Sequence, residues 1–303
     1  MTLQRILVGL DGSPLAESVL GAVRALAGPL GAEVTLLHVA HVPESIRAAA
    51  DVTIDGAVAR ERHEAERYLR RIARELREAG IAVRTSVAVG DAALEIMKSA
   101  DRDDSDLLAL ATHGRSGVWR WLHGSVADAV LHGTTRPLLL LRPSVTAPPT
   151  GDIERLVVPL DGSAVAEEAL ALARELAQRL HVPLELLQVV EVASLVFTGD
   201  PASQLLFDHT RMLEMMLAGA KAYLEDVADR ERRHGVRVET TVSAGGVAPT
   251  IPFHGDRPGS LVVLGSHGRT GWRAAVLGNV ARRVVALAEG PVLVVRPRAA
   301  AVS

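Results

Sequence analysis

The hydrophobic positions of this chain follow two rhythms that alternate from one end to the other. Short unbroken runs of Val, Leu and Ile, such as "ILVGL" at 6–10 and "DLLALA" at 106–111, are separated by longer stretches where apolar residues return every three or four positions. An unbroken apolar run suits a strand of a parallel sheet buried on both faces, and the slower return marks a helix with one face inward. In the first half, strands are expected over residues 5–10, 33–40, 82–89, 106–111 and 137–142. Helices are expected over 14–28, 56–79, 91–100 and 125–134. Leu69, Ile72 and Leu76 recur at helical spacing, as do Leu213, Leu217, Leu224 and Val227 later in the chain. Strands alternating with helices predict a doubly wound α/β fold.

The pattern is written twice. "ILVGLDGSPLAESVLGAVRALA" has its counterpart in "RLVVPLDGSAVAEEALALARELA", so that Asp11 aligns with Asp161, and "EVTLLHVA" pairs with "LELLQVVE". Each half closes on an apolar run before Arg-Pro, and "PSVTAPPTGD" at 143–152 reads as a connecting segment of prolines and small polar residues. The expected division is a first domain over 1–143, a linker over 144–152 and a second domain over 153–298. Ser13 is placed to cap the first helix with Pro14 at its opening position; Ser125 and Asn279 are expected to cap the helices that follow the fourth strands. One stretch departs from the repeat: "AGGVAPTIPFHGDRPGS" carries Pro249, Pro252 and Pro258 where the first half has a plausible helix. Those prolines are expected to break the helix or reduce it to a turn.

Composition narrows the function. Of the 303 residues 48% are hydrophobic but only 3% aromatic, so the cores rest on aliphatic side chains. A net charge of −3 gives no basic surface for nucleic acid or anionic lipid. The absence of cysteine excludes thiolate catalysis, disulfides and Cys-ligated zinc. No apolar stretch approaches the roughly 20 residues that span a bilayer, and the N-terminus does not read as a signal peptide. A soluble, cytoplasmic protein is expected.

A thirteen-residue phrase recurs near the end of each half: "HGRSGVWRWLHGS" at 113–125 and "HGRTGWRAAVLGN" at 267–279. Each follows a buried strand and ends on an expected helix cap. A glycine turn and a helix N-terminus both present unpaired N–H groups, so together they form a seat for phosphate. The phrase and the Asp11 or Asp161 turn fall at the C-terminal ends of strands four and one, where a doubly wound sheet reverses its winding and binds ligands. Arg115 and Arg269 are candidate phosphate partners, though arginine is abundant here. His113 and His267 are read as shaping the turn. Trp119, Trp121 and Trp272 are read as a partner or domain contact. Asp11 and Asp161 are either turn residues or ribose and metal contacts. His38 and His41 are close in sequence but lack a third ligand, and no metal site is assigned to them.

These residues resemble the universal stress protein family in its tandem two-domain form. The resemblance covers nearly the whole chain, and the Gly-x2-Gly-x9-Gly-Ser/Thr spacing marks the family's ATP-binding branch. It implies, for each half, a five-stranded parallel sheet of order 3-2-1-4-5 flanked by helices. It also implies ATP, with Mg²⁺ on its phosphates. By resemblance Gly9, Leu10 and Asp11, with Pro159, Leu160 and Asp161, would line adenine and ribose. Val39 and Val189 would contact adenine through their backbone. Gly114, Gly124, Ser125, Val126 and Ala127 would meet the phosphates in the first half, and Gly268, Gly278, Asn279, Val280 and Ala281 would do so in the second. His113, Arg115 and Gly117, with His267, Arg269 and Gly271, belong to the same two phrases and are counted among the candidate cofactor-binding residues. The first glycine of the pattern is Ala111 in one half and Gly265 in the other, and the final Ser/Thr is Ser125 in one and Asn279 in the other. Ala111 is expected to crowd the ribose. Both halves are expected to bind, the first more securely because its neighbouring helix is intact.

Fast catalysis is not expected. The chain has neither a Gly-x4-Gly-Lys-Ser/Thr loop nor a dinucleotide fingerprint, and no general base is evident beside a nucleophile. The reading is a nucleotide-dependent stress regulator with slow ATP hydrolysis at most. The alternative is an interaction scaffold that has lost its ligand in one or both halves. Leu138–Leu141 and Val292–Val295 lack the charges that guard a sheet edge, so the halves are expected to pair there as a pseudo-dimer, with a homodimer as a further arrangement. The protein partner is unspecified.

Overall fold

In the computed structural model of the chain, the described residues are 3–40, 53–112, 126–142, 151–191, 209–266 and 278–296. They fall into two compact units, residues 1–152 and 153–303. The first unit runs β1 (Arg5–Gly9), α1 (Pro14–Glu17), α2 (Val19–Leu30), β2 (Glu33–Ala40), α3 (Thr53–Glu78), β3 (Val83–Val89), α4 (Ala92–Arg102), β4 (Leu107–Ala111), α5 (Val126–Gly133) and β5 (Leu138–Leu141). The second runs β6 (Arg155–Pro159), α6 (Ala164–Leu180), β7 (Leu184–Val190), α7 (His209–Arg233), β8 (Val238–Ala244), α8 (Val247–Gly255), β9 (Ser260–Gly265), α9 (Asn279–Leu287) and β10 (Val292–Val295).

Within each unit every strand pair is parallel. The order is β3-β2-β1-β4-β5 in the first and β8-β7-β6-β9-β10 in the second. Winding therefore reverses between β1 and β4, and again between β6 and β9. The apolar runs lie where their pattern puts them: Leu7, Leu36, Leu107 and Leu108 are fully buried, each contributing about 1.5–3 kcal/mol relative to exposure. Leu69, Ile72 and Leu76 form the inner stripe of α3, as Leu224 and Val227 do in α7. Leu213 and Leu217, nearer the start of α7, are half-buried.

The "LDGS" turn is the same device in both units. Asp11 Oδ1 accepts the Ser13 N–H at 2.9 Å, and Asp161 Oδ1 accepts the Ser163 N–H at 3.0 Å. The glycine between them is left-handed, with φ of +84° at Gly12 and +79° at Gly162, a conformation that disfavours a side chain. Ser13 Oγ then accepts the Ala16 N–H, and Ser163 Oγ the Ala166 N–H, so the expected cap at Ser13 is present and has a twin.

Three expectations require correction. The proline-rich stretch is helical over Val247–Gly255. Pro249 occupies the first turn, where its missing N–H would have had no partner in any case, and only Pro252 forfeits a helical bond. The helix resumes at once, because the Asp256 N–H reaches the Pro252 carbonyl at 2.7 Å. Asn279, expected as a cap, is the first helical residue; Gly278 holds the extended cap conformation, and its carbonyl accepts the Arg282 N–H at 3.0 Å. The helix expected over 14–28 is also interrupted, at Ser18, into α1 and α2.

A tyrosine, a glutamate and an arginine fasten the long helix of each unit to the helix that leaves the "LDGS" turn. In the second unit the Tyr223 hydroxyl donates to Glu167 Oε1 at 3.3 Å, and Arg230 reaches the same oxygen at 3.2 Å. In the first, Arg71 binds Glu17 Oε1 at 2.7 Å and lies over the Tyr68 ring at 5.5 Å. The Tyr68 hydroxyl is buried beside Glu17 without a well-formed hydrogen bond. Burial, then the neighbouring Glu167 carboxylate and more distantly Asp161, push the Tyr223 phenol up to about 12, against the opposing pull of Arg230. Burial followed by Glu17 and Asp11 moves Tyr68 in the same direction.

These are the only two tyrosines of the chain, so their titration is directly readable. A phenol whose folded pKa is raised keeps its proton longer in the folded state. Its contribution is therefore complete below the unfolded value of about 10 and is lost as pH rises towards the folded one. Near-ultraviolet absorbance should register phenolate in the native protein only well above the pH at which the urea-unfolded chain ionises; coincident curves would contradict the buried environment. Separately, Ser163→Ala should cost about 1 kcal/mol of stability through the lost cap. Calorimetry should register this as a fall of about 2–4 °C in Tm.

Candidate functional site

The reversal of winding in the second unit opens a cavity of about 610 Å³ at the C-terminal edge of the sheet. Its floor is the exit of β6, through Pro159, Leu160 and Asp161. One wall is the end of β7, which brings Val189. The opposite wall is the end of β9 at Gly265 and the opening of α9, with Gly278, Asn279, Val280 and Ala281. Every second-half residue singled out from the sequence that falls among the described residues thus lines one cavity. His267, Gly268, Arg269 and Gly271 lie outside the described residues.

The opening of α9 is built to leave donors available. Gly278 has no side chain with which to cap the helix, so among the described residues the first N–H groups of α9 receive no cap from a side chain. Together with the helix dipole they favour an anion. The start of α9 is also tied to the end of β9: the Gly278 N–H donates to the Ser266 carbonyl at 2.7 Å, and Ser266 is fully buried.

Gly265 has a role that its place in the pattern does not convey. A Cβ there would lie 2.8 Å from the carbonyl oxygen of Val165. The missing side chain is needed by the first turn of α6, which sits against the strand end, and not chiefly as room for a sugar. The equivalent Ala111 carries its methyl in a unit whose first helix is interrupted at Ser18, whereas α6 runs unbroken.

In the first unit Gly9, Leu10 and Asp11 leave β1 in the same way, Val39 stands near the end of β2, and Ala111 ends β4. Val126 and Ala127 open α5, Val126 exposed and Ala127 buried. Gly9 is closely packed: a Cβ would come within 2.5 Å of the Leu110 side chain and 3.2 Å of Ile96. His113, Gly114, Arg115, Gly117, Gly124 and Ser125 lie outside the described residues, as do Trp119, Trp121, Trp272 and His41. Most of the expected linker does too.

Sequence reasoning missed part of the cavity wall. Gln188 in β7, Met216, Gly219 and Ala220 from α7, and Val247 and Ile251 from α8 all face it. The signal for Gln188 was present, a polar residue interrupting the apolar run "LELLQVV". Its Oε1 is buried and has no hydrogen-bond partner among the described residues. His38 holds the equivalent position in β2, and its Nδ1 is also buried without a partner among them. The His38 ring meets the edge of Tyr68 at 6.3 Å between centroids. A buried polar atom left unpaired at the same place in both units is costly unless a ligand or water completes it. A cavity within the usual 300–1,000 Å³ range, an orphaned acceptor and an uncapped helix N-terminus suit a nucleotide.

Among the described residues no helix is long and apolar enough to cross a membrane. Nor is any group of three or more His, Asp or Glu side chains arranged to hold a metal ion.

Comparison with known proteins agrees with this architecture. The model of the universal stress protein family matches residues 2–142 and again 152–296. A universal stress protein of Mycolicibacterium smegmatis is 28% identical over 301 residues, covering 97% of each chain. One from Mycobacterium tuberculosis H37Rv is 27% identical over 302 residues, covering 96% of each. Among solved structures, a universal stress protein from Archaeoglobus fulgidus superposes with a TM-score of 0.69 over 97% of both chains at 20% identity, a likeness of fold. Two copies of the family's domain, end to end over nearly the whole length, place this chain in the universal stress protein family.

Proposed function

We propose that the chain binds ATP, with Mg²⁺ on its phosphates, and acts as a nucleotide-dependent regulator of the stress response in the cytoplasm. The observation that carries this reading is the second-unit cavity, in which the exit of β6, the end of β7 and the opening of α9 meet around one volume. Val189 and Gln188 offer the base a strand end and an unpaired acceptor. Asp161 stands at the floor for the ribose. The N–H groups that open α9 receive phosphate, and the metal would be held chiefly by the phosphates themselves. In the first unit the corresponding roles fall to Gly114, Gly124 and Ser125 for the phosphates and to Asp11 and Val39 for the nucleoside.

The intact helix next to the first site was the ground for expecting tighter binding there. That ground is gone, since α8 forms and lines the second cavity through Val247 and Ile251. A second reading, a scaffold without ligand in the first unit, is favoured by Ala111 alone. The proposal extends to assembly: the apolar last strands, Leu138–Leu141 and Val292–Val295, pair the two halves or two copies of the chain.

Nucleotide content tests the assignment. Denaturing freshly purified protein should release ATP, identified by chromatography with mass detection, at one molecule for each unit. Val280→Glu should weaken Mg-ATP binding in the second unit by at least about tenfold, equivalent to about 1.4 kcal/mol. The same substitution favours the fold slightly, because an acidic residue suits a helix N-terminus. Val126→Glu should do likewise in the first unit. No bound nucleotide and no uptake of added Mg-ATP would leave the scaffold as the better account.

A further inference from the structure

The second unit contains a buried carboxylate that lies outside the lining of the cavity described above. Glu185 lies within β7 and is 4% exposed. Its Oε2 is paired with the Arg257 guanidinium, and its Oε1 accepts from the Thr241 hydroxyl at 3.2 Å. On the same Oε1 stands His254 Nδ1, 3.1 Å away. The other ring nitrogen, His254 Nε2, lies 3.2 Å from Ser243 Oγ. Serine, imidazole and carboxylate are thus joined in one line, contributed by β8, α8 and β7. The sequence had offered no general base beside a nucleophile, because the three residues lie 11 and 69 positions apart along the chain.

The arrangement fixes the protons. A carboxylate ion-paired with arginine only accepts, so Nδ1 carries the ring proton. Nε2 is then left as the acceptor for the Ser243 hydroxyl. This is the tautomer a general base needs in order to take a proton from serine. The first unit serves as an internal control on the bland reading that the cluster merely braces the sheet. There the corresponding positions are Thr35, Ala88 and Ser99, and the same five-stranded sheet forms. A buried Glu–Arg pair alone would satisfy neither role of His254, and burying charge without need is unfavourable.

We propose that Ser243, His254 and Glu185 form a nucleophile, base and positioning residue that hydrolyse small carboxylic esters. This proposal is independent of nucleotide binding. Ser243 is half-buried near the end of β8, the outer strand of its unit. Phe253, next to His254 in the chain and 78% exposed, gives an apolar surface for the organic part of an ester. The helix that follows opens on Gly246, which provides no side-chain cap; Pro249 has no N–H and the Thr250 N–H is taken by the Gly246 carbonyl, so the Val247 and Ala248 N–H groups are the donors offered to an oxyanion. Ser243 Oγ adds to the ester carbonyl as its proton passes to His254 Nε2. The tetrahedral adduct collapses, the C–O bond to the alcohol breaks, and the departing oxygen takes that proton. Water then attacks the acyl-serine, again losing a proton to His254, and the carboxylic acid leaves with Ser243 Oγ–H restored. Ester and water become acid and alcohol.

Full-length protein treated with a fluorophosphonate probe should carry the adduct on Ser243, located by peptide mass. It should also hydrolyse p-nitrophenyl acetate faster than buffer does. Ser243→Ala should abolish both while melting at the same temperature as the parent. His254→Gln should slow labelling by about 10²–10⁴-fold. Glu185→Gln should lower kcat and leave KM in place, a split that loss of packing alone would not produce. The labelling experiment on the parent protein needs no variant to fold. No adduct, an adduct on another residue only, or turnover that survives Ser243→Ala would overturn the proposal.

Discussion

The bond from each aspartate of the "LDGS" turns to the serine N–H two residues on sets the geometry on which the rest of each unit depends. It closes a turn that only a left-handed glycine completes, and it delivers the serine to the start of the helix as a cap. The central strand and the first helix are thereby joined at a fixed angle at the place where the sheet reverses its winding. Tyrosine, glutamate and arginine then fasten the long helix to this joint. The cavity of the second unit opens above that joint, so its floor is held by the same turn that starts the first helix.

This constraint also decides how the aspartates are to be understood. Each was open to two readings, a turn former or a ligand contact. The turn role is present in both units, with one carboxylate oxygen engaged by the serine N–H. The roles are compatible, because a carboxylate has two oxygens, and Asp161 lines the cavity while closing the turn.

The strands and helices, the duplication and most element limits were legible in the sequence because aliphatic periodicity and glycine–serine turn chemistry are local and strong; the order of the strands in the sheet came only with the family resemblance. The nine described second-half candidates lie around one cavity for the same reason: each belongs to a strand exit or a helix opening. What was not legible depends on contacts between distant segments. Gly265 reads as a ligand glycine until the backbone of Val165 is found 2.8 Å from where its Cβ would be. Proline counting misjudged α8, because the cost of a proline depends on its position in the first turn and not on its presence. Gln188 and His38 appear as isolated polar residues in strands; only burial marks them as unpaired. The Ser243–His254–Glu185 line joins three elements and has no spacing by which a sequence could announce it.

The bond between the Ser266 carbonyl and the Gly278 N–H is made main chain to main chain, so it needs no particular side chain at either position. It couples the end of β9 directly to the opening of α9. The cavity wall therefore takes its position from the parallel sheet, and a change in the sheet's twist would tilt the helix opening with it. A substitution in the core beneath β9 would in this way alter what the cavity accepts without touching its lining.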